Sequence, residues 1–204
     1  MTIFYFTSTG NSLYVAKKIG NNDSELISIP QIINHSTLEY TDDVIGVVFP
    51  IYGFGLPKMV HKFLEKVKLN AEYTFAIGTY GNLSGAAMLS ANKFATKRGR
   101  GFDYVESLLM FDNYLPLFEV AHEIERTKGK HTEENLSKII SNINARKKQS
   151  PKVSIVWKII SAIIKGGEKF VMSNKQAQNY IIDEKCVKCE ICAKICPAHN
   201  ITVT

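Results

Sequence analysis

Cysteine is absent from the first 185 residues, and long apolar runs are absent throughout. The longest apolar stretch, Val153–Ile164, is interrupted by Lys158 and falls short of the about 20 residues that span a bilayer, so no transmembrane helix is expected. Proline is scarce, with 6 residues, and hydrophobic and charged residues make up 45% and 22% of the chain. These values exclude collagen-like, disordered and coiled-coil classes and predict a soluble, folded protein.

The N-terminus, Met1–Phe6, lacks the basic region and the small-residue cleavage site of a secretory signal. It alternates like a β-strand instead. We therefore expect a cytoplasmic protein whose thiols stay reduced.

Charge of one sign is concentrated late in the chain. The formal net charge is +6, and the basic excess lies after residue 125. A solvated helix face or a docking surface for an acidic carrier explains this cluster better than nucleic-acid binding does. Its basic residues are Arg126, Lys128, Lys130, Arg146, Lys147, Lys148 and Lys152.

Short apolar runs alternate with amphipathic helical patterns along the first 150 residues, which predicts a doubly wound α/β fold with a five-stranded parallel sheet. The predicted strands are Thr2–Phe6, Glu25–Ile29, Val44–Phe49, Tyr73–Thr79 and Tyr104–Phe111. The predicted helices are Asn11–Ile19, Lys58–Val67, Gly85–Lys97 and Leu117–Lys148, the last interrupted at Gly129. We divide the chain into a domain at 1–150, a linker helix at 151–180 and a cysteine-containing segment at 181–204.

The turn after the first strand leads directly into a helix and is rich in hydroxyl groups. It comprises Thr7, Ser8, Thr9, Gly10, Asn11 and Ser12. Free amides at a helix N-terminus favour an anion, and no lysine follows as in the loops that bind nucleoside triphosphates, so a single terminal phosphate is expected. Helix capping by Ser8 or Thr9 is the alternative explanation.

Two further loops are expected at the same edge of the sheet, because ligands of open α/β sheets lie beyond the carboxyl ends of the strands. Each combines an aromatic residue with glycines. A planar heteroaromatic ring could lie between Tyr52 and Tyr80, although tyrosine–glycine pairs also occur in ordinary loops. The candidate residues are Pro50, Ile51, Tyr52 and Gly53 in one loop and Thr79, Tyr80, Gly81 and Asn82 in the other.

Together the three loops resemble those that hold FMN in flavodoxins. The segments Phe4–Ser12, Pro50–Tyr52, Gly78–Asn82 and Asp112–Tyr114 are similar to the flavodoxin and ferredoxin fusion proteins of anaerobes. The resemblance implies a flavodoxin-like sheet of order 2-1-3-4-5, FMN as a cofactor, and Tyr114 as a further binding residue. Phe111 stands where that family has proline.

The cysteines form the most specific motif in the sequence. Cys186, Cys189, Cys192 and Cys196, followed by Pro197, have the spacing of the run that binds [4Fe-4S] clusters in bacterial ferredoxins. Zinc sites are usually built from two ligand pairs separated by a longer loop, so zinc is disfavoured, as are inert cysteines or disulfides.

In two-cluster ferredoxins the fourth cysteine of such a run binds the other cluster, and a second run supplies the missing ligand. Because the sequence contains one run, we expect it to be a truncated form with an incomplete cluster module.

The sequence therefore predicts electron transfer between Fe-S clusters and FMN, with redox proteins as partners. It predicts neither a catalytic acid, base or nucleophile nor an oligomeric state. The alternatives are a flavin-dependent reductase acting on a quinone or another small acceptor, and a non-redox module with the same fold.

Overall fold

The computed structural model describes residues 1–99, 101–114, 118–161, 181–196, 199 and 201–203. Its strands are β1 (Thr2–Tyr5), β2 (Glu25–Ser28), β3 (Glu39–Thr41), β4 (Val44–Pro50), β5 (Lys68–Asn70), β6 (Tyr73–Tyr80) and β7 (Tyr104–Leu109). Its helices are α1 (Asn11–Ile19), α2 (Ile29–Ile32), α3 (Lys58–Lys66), α4 (Ala87–Lys97), α5 (Val120–Thr127), α6 (Thr132–Asn144) and α7 (Ile191–Ile195). Residues 155–161 are also helical.

Five strands form one sheet in the order β2-β1-β4-β6-β7, and every neighbouring pair is parallel. Counted among these five strands alone, the order is 2-1-3-4-5, which is that of the flavodoxin-like doubly wound fold. The predicted fold class is therefore confirmed. Buried runs such as β4, whose residues 45–49 are all inaccessible, form central strands because both faces of the sheet are covered.

Two hydrophobic layers cover the sheet. On one face, Phe4 and Val47 pack in a cluster with Phe63 of α3 and Ala91 of α4. On the other face, a cluster contains Val15 of α1, Ile77 and Leu108 of the sheet, and Leu136 and Ile139 of α6. Helices α3 and α4 thus cover one face and α1 and α6 cover the other, the arrangement that right-handed crossovers give for this strand order.

The elements differ from the sequence-based expectation in several places. Within the predicted helix Leu117–Lys148 the structure has α5 and α6, the second of which ends at Asn144 rather than Lys148, and the predicted interruption at Gly129 falls between them; Leu117 itself lies outside the described residues. A small parallel pair, β3 with β5, and the single-turn helix α2 were not predicted. Strands of three residues carry too few side chains to show an alternating pattern.

The last strand is shorter than predicted. β7 ends at Leu109 rather than Phe111, and residues 110–114 belong to no helix or strand. Of the predicted linker helix at 151–180, residues 155–161 are helical, and residues 162–180 lie outside the described residues. In the part of the chain that the structure describes, no helix is long and apolar enough to cross a membrane.

The predicted basic surface is incorrect in one important respect. Lys130 is only 7% exposed, and its ammonium lies 3.2 Å from the buried Glu123 carboxylate. Arg146 pairs with Asp43 and Glu72. Several of the late basic side chains are thus used in ion pairs within the fold.

Candidate functional site

The carboxyl ends of the central strands bring the predicted loops to one edge of the sheet. Pro50 and Thr79 are register partners at the ends of β4 and β6, and the ladder continues with the Ile51 amide donating to the Thr79 carbonyl at 2.8 Å. The Met110 amide likewise donates to the Tyr80 carbonyl at 2.8 Å. The loops after β4, β6 and β7 therefore start side by side.

The loop after β1 is closed by Thr7. The Gly10 amide donates to the Thr7 hydroxyl at 3.0 Å, and Gly10 has φ +103°, a conformation that favours glycine. Gly10 is itself the N-cap of α1, and no side chain caps the helix. The alternative that Ser8 or Thr9 serves only as a cap thus has no support in this geometry.

The first intrahelical bond of α1 runs from the Tyr14 amide to the Gly10 carbonyl at 2.8 Å. The amides of residues 11–13 precede it and are the unsatisfied donors found at any helix N-terminus. No acidic residue lies in the first turn of α1. The Ser8 and Thr9 side chains are exposed beside these amides. This end of α1 is therefore suited to a phosphate.

The side chains of Ser12 and Asn11, at the end of the first loop, bond to other parts of the protein. Ser12 and Thr79, which are 1% and 2% exposed, share a hydrogen bond of 2.9 Å between their hydroxyls. The Asn11 side-chain amide donates to the Phe111 carbonyl at 2.9 Å. These bonds join the first loop to β6 and to the segment after β7, so the hydroxyl groups of Ser12 and Thr79 act as internal connections.

The loop after β4 makes a tight turn. Tyr52 and Gly55 exchange main-chain hydrogen bonds of 3.2 and 2.9 Å around Gly53 and Phe54, which have φ angles of +52° and +66°. A left-handed bulky residue such as Phe54 is strained and needs surrounding support, which here includes the Trp157 ring at 5.9 Å. Trp157 therefore packs against the loop after β4.

The two predicted aromatic residues have different partners. The Tyr52 and Ser8 hydroxyls lie 2.8 Å apart, and burial raises the pKa of Tyr52 while this hydrogen bond opposes the rise. Burial also raises the pKa of Tyr80, which hydrogen bonds to Ser84 and Ser107 oppose. The structure thus brings Tyr52 onto the first loop but directs the Tyr80 hydroxyl toward β7. Their placement on the two sides of a ring stays a prediction.

The loop after β6 is held by a polar network that the sequence did not predict. The Asn82 side-chain amide donates to Asp112 at 2.6 Å, and Arg126 donates to the Asn82 side-chain oxygen. Arg126 also pairs with Glu123 at 2.6 Å. At Gly81, a Cβ atom would approach the Asp112 carboxylate to 2.2 Å, so this contact requires glycine.

The network ends at a buried ion pair. The Lys130 ammonium donates to the Gly81 carbonyl at 2.7 Å, the Met110 carbonyl at 2.9 Å and the Glu123 carboxylate at 3.2 Å. Burial alone would raise the pKa of Glu123, but the hydrogen bond and charge of Lys130, together with Arg126, hold it below its usual value. The i,i+3 spacing of Glu123 and Arg126 was the sole available signal, and it is common on solvated helices.

Tyr114 completes the site edge. Its amide donates to the Asp112 carboxylate at 3.1 Å, and the residue is 50% exposed. Asn11, Asn82 and Asp112 therefore connect the loops after β1 and β6 with Tyr114, while the Ser8–Tyr52 hydrogen bond connects the loop after β4 to the loop after β1.

The four cysteines lie on a separate, exposed segment. Cys186, Cys189 and Cys192 are exposed, and Cys196 is partly buried. Lys188 and Glu190, which lie between the first three, have left-handed φ angles of +54° and +61°. Each of these two residues lies between two successive cysteines of the motif. Among the described residues, no three His, Cys, Asp or Glu side chains already converge as a metal site.

Comparison with known families concerns this same segment. Residues 179–202 match the family model described as a 4Fe-4S binding domain. The chain therefore combines a segment that is similar to 4Fe-4S binding domains with a sheet of flavodoxin-like strand order, a combination that supports a role in electron transfer. No match was found among curated proteins.

Solved structures similar to the chain include the two-electron reduced flavodoxin of Megasphaera elsdenii, with 20% identity, 52% of this chain and 83% of that chain covered, and a TM-score of 0.38. A flavoprotein in complex with FMN from Lactobacillus acidophilus NCFM has 15% identity, coverages of 62% and 97%, and a TM-score of 0.39. The Trp repressor binding protein of Bacillus subtilis has 15% identity, coverages of 69% and 95%, and a TM-score of 0.43. Because these sequence identities and TM-scores are low, the fold assignment rests on the strand order of the sheet itself.

Proposed function

We propose that the chain binds FMN at the carboxyl edge of the sheet and transfers electrons between this flavin and a [4Fe-4S] cluster on its C-terminal segment. The observation that carries the proposal is the linked set of loops around the open N-terminus of α1, in a chain that also contains a 4Fe-4S binding domain. FMN exchanges one or two electrons and a cluster exchanges one, so the pair suits the splitting or pooling of electrons.

The phosphate would be held by the loop after β1. We assign its ligands to the open amides of Asn11 and Ser12 and to the exposed Ser8 and Thr9 hydroxyls. Thr7 and Gly10 shape the turn through their 3.0 Å hydrogen bond. The donor set consists of neutral N–H and O–H groups at the positive end of a helix dipole, which suits a dianionic group.

The ring would lie over the loops after β4 and β6. We assign one side of its pocket to the loop with Tyr52 and the other to the loop with Tyr80, with Tyr114 at the exposed edge. The binding residues in these loops are Pro50, Ile51, Tyr52 and Gly53, and Thr79, Tyr80, Gly81 and Asn82. Thr79 contributes through its main chain and its support of Ser12, because its hydroxyl is buried.

The cluster would be held by the cysteine thiolates. Cys186, Cys189 and Cys192 supply three ligands, and Cys196 has the position of the cysteine that ligates the other cluster in two-cluster ferredoxins. Because thiolate ligands must stay reduced, we propose the cytoplasm as the location of the protein. Electron-donating and electron-accepting proteins would be its partners.

A second candidate is a flavin-dependent reductase for a quinone or another small acceptor. The half-exposed side chain of Tyr114 favours it, because an acceptor could reach the edge of the ring there. Turnover of a soluble quinone by the reduced, isolated chain would separate this activity from that of a carrier.

The proposal is tested by anaerobic purification and titration. We expect the absorbance bands of an oxidised flavin together with the broad absorption of a cluster, and iron and sulfide in equal amounts. The apoprotein should bind FMN more tightly than riboflavin, because riboflavin lacks the phosphate. A chain that binds neither flavin, or both equally, contradicts the proposed site.

A further inference from the structure

Lys130 occupies an unusual position for a lysine. Its side chain is 7% exposed, and its ammonium has three acceptors, which is as many as its three protons can serve. One acceptor is the Glu123 carboxylate, which is 2% exposed. The other two are main-chain carbonyls at the ends of β6 and β7. A buried charge of this kind is expensive unless it is fully paired, and here it is.

The acceptors lie on the two loops that adjoin the proposed flavin site. The Gly81 carbonyl belongs to the peptide that links Gly81 to Asn82 in the loop after β6. The Met110 carbonyl belongs to the peptide that links Met110 to Phe111 after β7. A single ammonium therefore fixes one peptide in each of two neighbouring loops.

The hydrogen bond from Lys130 to the Gly81 carbonyl also determines the direction of the Asn82 N–H. In a planar trans peptide the carbonyl and the N–H point in opposite directions. Because Lys130 draws the Gly81 carbonyl toward the protein interior, the Asn82 N–H must point the opposite way. Among the described residues, no acceptor for this N–H is found.

We propose that Lys130, held by Glu123, is a positioning residue that locks the Gly81–Asn82 peptide with its N–H directed at the flavin ring. The inference rests on the proposed function, since the ring is its target. Without Lys130 the peptide could rotate, because Gly81 has no side chain to oppose it. The N–H would then be replaced by a carbonyl oxygen that repels the electron-rich edge of the ring.

If Lys130 fixes the Gly81–Asn82 peptide in this orientation, the site should prefer one redox state of the flavin. Reduction increases the electron density on the ring acceptors, so an N–H donor stabilises the reduced form more than the oxidised form. Loss of one such hydrogen bond should lower the ratio of reduced to oxidised FMN affinity about tenfold. Riboflavin and FMN should weaken together, because the contact is with the ring.

The test uses the full chain and the variant Lys130→Met, which keeps the side-chain volume but removes the charge. The double variant Glu123→Gln/Lys130→Met also removes the buried carboxylate, which would otherwise keep only Arg126 as its charged partner, in case the single variant does not fold. The matched control is Lys138→Met, which breaks an exposed i,i+4 pair with Glu134 on α6. Oxidised and reduced FMN affinities are measured for each by titration and by the flavin midpoint potential.

We expect both Lys130 variants to lower the affinity ratio about tenfold and the control to leave it unchanged. Hydrogen exchange of the Asn82 amide provides a measurement on the wild-type chain alone, and FMN should slow it. An unchanged ratio in a folded variant, or an Asn82 amide that FMN does not protect, overturns the inference while flavin binding stands. A wild-type chain that binds no flavin overturns the proposed function and this inference with it.

Discussion

The flavodoxin-like sheet and the cysteine segment obtain their order in different ways. The sheet buries Phe4, Phe75 and Tyr104 completely, and it pairs even its buried charges. In the cysteine segment, by contrast, Ile181 and Ile195 are 87% and 73% exposed. The first region builds its binding edge through its own packing. The second has too little buried surface to do so and must draw its folding free energy from the metal it binds.

Removal of a cluster ligand should give the largest effect and should be confined to the cysteine segment. Cys189→Ser should abolish cluster incorporation, because the serine hydroxyl is a poor ligand for iron at neutral pH, while FMN affinity stays unchanged. Iron and sulfide analysis after anaerobic reconstitution measures the first effect, and fluorescence titration measures the second. Val187→Ala is the neighbouring control, since Val187 is 82% exposed. Loss of FMN binding in Cys189→Ser would show that the two regions depend on each other.

The converse change weakens the sheet and should spare the cluster. The Phe75 ring lies against Gly46 on the adjacent strand, and a Cβ at Gly46 would approach it to 2.0 Å. Phe75→Ala should therefore lower the free energy of unfolding by about 3–5 kcal/mol, through lost burial and a cavity. Urea denaturation followed by circular dichroism measures this. Ile124→Ala, at a 56% exposed position, should cost less than about 0.5 kcal/mol.

A smaller effect, on flavin affinity, distinguishes contacts with the phosphate from contacts with the ring in the first region. Thr9→Val should weaken FMN binding by about 1.5–3 kcal/mol, because it removes a hydrogen bond to a charged group. Riboflavin affinity should change much less. Thr37→Val, at an exposed loop position, is the control. Equal weakening of both flavins by Thr9→Val would refute the assignment of the phosphate to this loop.

The smallest effect concerns pH and should appear only in the sheet. Tyr73 is 2% exposed and donates to the Lys147 carbonyl at 2.8 Å, and burial, with Tyr104 and Asp103 nearby, raises the pKa of Tyr73 to about 12. The folded state thus holds this proton more tightly than the unfolded chain does. Its stabilisation is complete below about pH 10 and is lost as the pH rises toward 12.

Tyr73→Phe should flatten the fall in unfolding free energy between pH 10 and 12, measured by urea denaturation at a series of pH values. At pH 8 the variant should be less stable by about 1 kcal/mol, because the hydrogen bond to Lys147 is lost. An alkaline profile identical to that of the wild type would assign the fall to other tyrosines.

The strands and the loop positions could be predicted because each depends on local pattern, whereas the strand order followed from the family resemblance. The continuous apolar run of β4 and the hydroxyl-rich turn after β1 are visible in the sequence alone. The pair Glu123 and Lys130 could not be predicted, because its burial depends on where the loops after β6 and β7 place their carbonyls. The same holds for Ser12 and Thr79, 67 residues apart, whose hydroxyls meet only once the sheet has formed.

The path of the chain after α6 has a kinetic consequence. Gln149 pairs with the start of β7 at the amino edge of the sheet, yet Ser161 accepts a 2.9 Å hydrogen bond from the Ala86 amide near the carboxyl edge. The residues between them thus carry the chain to the edge with the candidate site and fasten it there. Whatever path residues 162–180 take, full extension keeps Ile181 within about 70 Å of this anchor. An electron exchanged between the two regions of one chain would then follow first-order kinetics, with a rate that does not fall on dilution.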